Sequence, residues 1–157
     1  MEKLFKVIKN FLTTQFNAEL VEYDDPSPAP ELPRLNNKSV IFGTVDPLKV
    51  PYVSVSVLPE TQEDDEGTIS DVVTKSEFTV TFVFKGCKYD ELIKRMCRYA
   101  ACFKQAVKQF YTLENDDVEN TELGTIRFYP DCGAVEKTMT AAEINLTIYT
   151  SEDYNHE

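Results

Sequence analysis

The side chains of this sequence with reactive chemistry to offer are 4 cysteines, 1 histidine and an excess of carboxylates. Cys87, Cys97, Cys102 and Cys132 include no CxxC pair, and Cys97 and Cys102 stand five apart on a predicted helix, where they point to different faces. The histidine, His156, is the penultimate residue. Zinc needs a clustered Cys/His ligand set, so this inventory points to free thiols in a reducing cell. A Ser–His or Cys–His nucleophile needs a positioned imidazole, which His156 at a chain end does not supply. The glycines, Gly43, Gly67, Gly86, Gly124 and Gly133, are isolated, so no Gly-rich phosphate cradle exists. Carboxylate-only acid–base chemistry is the enzymatic route left open. Its residues gather in two hydrophilic runs, 60–66 and 114–122, which read as solvated loops. The expectation is a protein that is not an enzyme, with no catalytic residue, cofactor or metal.

The chain has 157 residues, with 16 Lys+Arg against 27 Asp+Glu, a net charge of −11. This length favours one domain with a true core, and 42% apolar and 11% aromatic residues are too many for a disordered chain. The charge excludes a protein that grips nucleic acid through general basicity. No stretch approaches the apolar length that spans a bilayer, and the Lys-rich N-terminus lacks the continuous apolar region of a secretory signal. The expectation is a cytosolic compartment and no membrane.

Positioning these residues falls to a short series of elements. Leu4, Ile8, Phe11, Leu12 and Phe16 predict an amphipathic helix over 3–16, with Lys3, Lys6 and Lys9 in a basic stripe beside the apolar face. Residues 18–23 read as a short strand. A Pro-rich connector over 24–38 follows, because its prolines force extended geometry. Residues 39–45 read as a brief strand or turn. Val53, Val55 and Val57 alternate with polar neighbours in a strand over 51–58, opened by Pro51. An acidic loop spans 59–68. Residues 69–74 form a possible pairing segment ahead of the second strong strand, 77–84, with Phe78, Val80, Phe82 and Phe84 on one face. A long helix over 89–111 places Leu92, Met96, Ala100, Phe103 and Val107 at helical steps, with Asp90 and Glu91 in its first turn and Asp90–Lys94 and Glu91–Arg95 as spaced pairs. Its Lys94, Arg95, Arg98, Lys104 and Lys108 make it the one strongly basic element, which is either a partner surface or an ordinary solvated face. A second acidic loop spans 114–123. A strand over 124–130 has Ile126 and Phe128 inward, residues 131–133 turn, and 141–150 is the last strand, before a flexible tail over 151–157. The fold expected is α+β: a single domain over 1–157, a mostly antiparallel sheet packed against one long helix and a shorter N-terminal helix.

In that order of elements the chain resembles the tail terminator, or tail-completion, proteins of long-tailed bacteriophages and phage-like particles. The resemblance rests on the amphipathic N-terminal helix, the Pro-rich stretch leading into Pro51-Tyr52-Val53-Ser54-Val55, the acidic run, the strand from Phe78 to Phe84, the long helix and the closing strands. It implies a structural protein that forms a ring, usually a hexamer, on the end of the tail tube, stops its polymerisation and joins it to the neck or head connector. The partners implied are other copies of the chain, the tail tube and neck or connector proteins, with DNA as passing cargo that is not tightly bound. A negative lumen would repel phosphate and keep DNA mobile. The place implied is the host cytoplasm during assembly and then the virion. Ring contacts are heterologous, so Lys94, Arg95, Arg98, Lys104 and Lys108 are candidate interface residues for an acidic loop of a neighbour. Glu63, Asp64, Asp65, Glu66, Asp116, Asp117 and Glu119 are candidate lumen- or solvent-facing acids. The alternative is a small cytosolic, non-enzymatic protein-binding module of a phage or prophage, such as another head–tail joining protein, using a sheet edge or the Pro-rich arm.

Overall fold

The N-terminal apolar stripe extends further than its first turns suggest. In the computed structural model, which describes residues 1–23, 32–44, 53–65, 73–86, 88–130 and 139–151, Leu4, Ile8, Phe11, Leu12, Phe16 and Leu20 are all buried along one side of a continuous helical segment. It begins as α1 (Glu2–Phe11), widens to a π-helical turn over Leu12–Phe16 and ends as α2 (Asn17–Tyr23). The widening has a local cause. The Thr13 hydroxyl donates to the Lys9 carbonyl at 3.0 Å and Thr14 to the Asn10 carbonyl at 2.6 Å, competing with the backbone ladder. Residues 18–23 are therefore helix and not the short strand expected. Leu20, one turn beyond Phe16, keeps them on the same buried stripe.

Asn17 then fastens the chain that returns from the Pro-rich region. Its side-chain amide donates to the Leu35 carbonyl and its carbonyl oxygen accepts from the Leu35 N–H, both at 2.8 Å. Leu32 and Leu35 are buried, so the end of the connector is part of the core; residues 24–31 lie outside the described residues. The Asn36 side chain accepts from the backbone N–H of Lys38 and of Ser39, turning the chain into β1 (Val40–Phe42).

The sheet has five strands in the order β1-β2-β3-β5-β4. It joins β1 to β2 (Val53–Asp65), β3 (Val73–Lys85), β4 (Val118–Tyr129) and β5 (Met139–Ser151), with α3 (Tyr89–Gln109) between β3 and β4. Every pairing is antiparallel except β1 with β2, which is parallel. The architecture is the α+β one expected.

The 59–68 acidic loop is corrected as far as residue 65. After a register shift between Pro59 and Thr61, β2 continues along β3 to Asp65. Its strand character is carried by polar cross-strand pairs, Thr61 with Glu77, Gln62 with Ser76 and Asp64 with Thr74. The 114–123 loop is corrected likewise: a turn ends at Asp117 and β4 begins at Val118. Of the two side chains expected inward on that strand, Ile126 packs against the core but Phe128 is 46% exposed, close to the outer end of an edge strand that stops at Tyr129. The turn expected at 131–133, the strand opening at Pro51 and Tyr52, residues 69–72 and the tail from 152 lie outside the described residues.

One face of the sheet carries Val53, Val55 and Val57, then Phe78, Val80, Phe82 and Phe84, then Ala142, Ile144, Leu146 and Ile148, all buried. The helices lie on this face. Phe82 meets Phe16 at 5.4 Å, Tyr99 at 5.8 Å and Phe103 at 5.4 Å between ring centroids, so both helical segments and the sheet share one aromatic centre. Thr140 on β5 donates to the Leu92 carbonyl of α3 at 3.3 Å, fixing the start of that helix to the sheet.

Candidate assembly surfaces

The outer face of α3 follows from its inner one. Leu92, Met96, Tyr99, Phe103, Ala106 and Val107 are buried against the sheet. At 100° per residue that places Lys94, Arg98, Lys104 and Lys108 together on the opposite side, with Cys97 and Ala101 between them. Lys94, Lys104 and Lys108 are exposed and Arg98 is half-buried. Arg95 stands apart on the flank, its guanidinium directed towards Gly86, where a Cβ would lie 3.9 Å from Nη1. The helical spacing thus unites four of the five cations singled out in the sequence. In the first turn Glu91 pairs with Lys88 at 3.8 Å. On α1, Lys6 is exposed and the Lys9 ammonium sits 5.9 Å over the Phe5 ring, adding cations to the helical layer beside the acidic Glu2, Glu19 and Asp90.

The two acidic runs, distant in the chain, come to the same end of the sheet. Asp64 pairs in register with Thr74, Thr74 with Thr150 and Thr150 with Val118, directly after Asp116 and Asp117. Glu63, Asp64, Asp116, Asp117 and Glu119 are exposed there; Asp65 ends β2, and Glu66 lies outside the described residues. The runs flank this end at opposite edges, about 14 Å apart at about 4.8 Å per strand.

A further set of carboxylates lies on the sheet face turned away from the helices. Alternation puts Lys75, Glu77, Thr79 and Thr81 of β3 on that face, beside Glu143, Asn145, Thr147 and Tyr149 of β5. Among the described residues no helix covers it. At one end Val83, Met139 and Ala141 form a small buried cluster of their own. Its middle is a shallow trough of about 560 Å³ floored by Thr79, Asn145 and Thr147 and bordered by Glu60 and Glu77. An adjoining groove of about 370 Å³ runs between Glu60 and Glu143.

Cross-strand hydroxyls hold two of these acids in place around the β2 irregularity. Thr61 donates to Glu77 at 2.6 Å, and Thr79 donates to Glu60 at 2.9 Å. Glu77 also pairs with Lys75 at 3.5 Å. The Thr61 hydroxyl, with Lys75 beside it, holds the Glu77 carboxyl below its ordinary range, and Glu77 in turn raises the Lys75 ammonium. Gly124 lets β4 approach this region closely, since a Cβ there would meet the Asn145 Cβ at 3.1 Å. Glu60, Glu77 and Glu143 were not legible as a site in the sequence. They come from three strands, and the signal that could have found them is a threonine on the neighbouring strand, in register for Glu77 and Glu143 and hydrogen-bonded at the irregularity for Glu60, visible once the register is known.

Of the cysteines, Cys87 and Cys132 lie outside the described residues, and the other two divide as their spacing requires: Cys97 is exposed and Cys102 is buried. Burial, and secondarily Glu19, pushes the Cys102 thiol up to about 12, so it is an inert thiol inside the core. Among the described residues no group of three or more His, Cys, Asp or Glu side chains is placed to hold a metal ion. Among them too, no helix is long and apolar enough to cross a membrane.

No family model matches the chain, and no curated protein matches it. Among solved structures it is similar to a chain of the "Virion of native gene transfer agent (GTA) particle", with 10% sequence identity over 88% of this chain and 95% of that one, at a TM-score of 0.48.

Proposed function

We propose that this chain is a non-enzymatic structural protein of a phage-like particle, and within it a tail terminator: a ring-forming cap on the tail tube that joins the tube to the neck or head connector. The observation that carries the reading is the segregation of charge between two unlike surfaces. One side of the domain is a helical layer with Lys94, Arg98, Lys104 and Lys108 outward. The other is a sheet with Glu60, Glu77 and Glu143 in its middle and two acidic runs at one end. A subunit with two different complementary patches is what a heterologous ring requires. The order of elements supports the same reading: helix, paired strands, long helix and closing strands follow one another as in the family the sequence resembles. DNA passes such a ring as cargo, and a net charge of −11 disfavours its retention.

A cap that stops tube growth has a defined loss phenotype. Particle-producing cells lacking this chain should accumulate tail tubes of uncontrolled length without heads, seen by electron microscopy, and supplying the chain should restore uniform tails. Tubes of normal length on complete particles in its absence overturn the terminator role.

A further inference from the structure

Resting on the assembly reading above, we propose that neighbouring copies join face to face: the outer face of α3 in one copy lies across the open face of the sheet in the next. The two surfaces are on opposite sides of the same two-layer domain, so the contact repeats head to tail and closes as a ring or continues as a filament. Their charges are complementary, cations on the helix and Glu60, Glu77 and Glu143 on the sheet. Lys75 and Lys85 are on the sheet face too, Lys75 paired with Glu77, and Arg127 lies opposite Glu143 in register, so these cations offset part of the negative charge that the three glutamates present.

Shape and spacing agree with the charge. The centre of the outer helix face is small, with exposed Cys97 and Ala101 between the long cations, and the trough floor is made of short side chains. Lys94 and Lys104 are about 15 Å apart along the helix. Glu77 and Glu143 are separated by four residues and one strand, about 14 Å. The hydroxyl bonds to Glu60 and Glu77 hold those carboxylates in place before a partner arrives, which lowers the ordering cost of docking. The competing route, strand addition at the β4 edge, is discouraged by the molecule itself. That strand breaks register twice, between Val118 and Asn120 and between Leu123 and Ile126, and carries Glu119, Glu122 and Arg127.

Two charge-reversed variants test the contact by sedimentation velocity at low salt. The helix variant is Lys94→Glu with Arg98→Glu and Lys104→Glu; the sheet variant is Glu60→Lys with Glu143→Lys. Each alone should lose the assembled peak of the unsubstituted chain, because like charges now meet. Their equal mixture should regain it, because each reversed face finds the other. Either variant assembling alone as the unsubstituted chain does, or a mixture that stays monomeric, overturns the proposal, as does an unsubstituted chain that never assembles. If the variants assemble but loss of the chain still gives overlong tubes, the face contact fails and the terminator reading stands. Should a variant fail to fold by circular dichroism, the unsubstituted protein supplies the readout. Cys97 should react with maleimide in protein dissociated by high salt and lose that reactivity in the assembly, followed by peptide mass mapping. Equal reactivity in both states overturns the contact.

Discussion

Adjacent residues of β3 belong to two different environments. Phe78, Val80, Phe82 and Phe84 are enclosed beneath two helical segments, whereas Glu77, Thr79 and Thr81 stand on a face that no described helix covers. The first set derives its stabilisation from apolar area removed from water and from ring-to-ring packing. The second set contributes little to folding. Its hydroxyls and carboxylates bond to one another across strands and hold charge at fixed places on a flat surface. The contrast separates what holds the domain together from what it offers to others: the same period-two pattern builds both, one residue out of phase.

The largest expected difference between the faces is in core deletion. Phe82→Ala removes the ring that Phe16, Tyr99 and Phe103 share, and should cost about 3–5 kcal/mol in urea unfolding, while Thr81→Ala on the other face should change stability by less than about 0.5 kcal/mol. Equal costs would mean that the open face is covered in the folded monomer. Asn17→Ala removes both bonds to Leu35 and leaves a partly buried backbone pair unsatisfied. A loss of about 1–3 kcal/mol is expected by the same measurement, with early protease cleavage near residue 35. Alkaline unfolding should report the buried thiol. The folded value of Cys102 is raised from 9.0 to about 12, so its contribution is whole below pH 9 and is lost as pH rises through that window, at about 1.4 kcal/mol per pH unit. Cys102→Ala should remove this alkaline slope and Cys97→Ser should not. The smallest effect belongs to the open face. Thr61→Val should leave stability at neutral pH within about 0.5 kcal/mol and raise the Glu77 pKa towards its ordinary value in an NMR titration. Because the folded Glu77 value is depressed, its contribution is present above the ordinary carboxylate range and is lost as pH falls through the depressed value. The variant therefore shows less acid dependence than the parent.

The legible part of the fold is the part with apolar contrast. The alternation from Phe78 to Phe84, the valines of β2 and the three- and four-residue steps of α3 appear in the structure as expected, because a buried face allows only one phase. The extension of β2 to Asp65 and the start of β4 at Val118 lack that contrast. The β2 extension is polar on both faces and is made strand by its bonds to β3, while in β4 the buried Val118 and the core-packed Leu123 are interrupted by two register shifts that break the alternation. Residues 18–23 read as strand for a different reason: the segment is short and alternates weakly, and only its continuity with the Phe16 stripe makes it helix. The cationic face of α3 could be read from spacing, since a helix places its own residues. The placement of the two acidic runs at one end of the sheet could not, nor could the grouping of Glu60, Glu77 and Glu143, since each depends on strand register.

Local pattern thus settled the strongly patterned elements, the acidic balance and the basic helix, since these depend on residues within one or two turns or along one strand. Tertiary structure settled which side of the sheet the helices cover. Strand pairing brought the two acidic segments to one end of the sheet, and the placement of the helices left a row of glutamates facing away from the cations. The reason is physical: hydrophobic periodicity orients an element towards a core, but only pairing between distant strands determines which polar residues become neighbours on the other side.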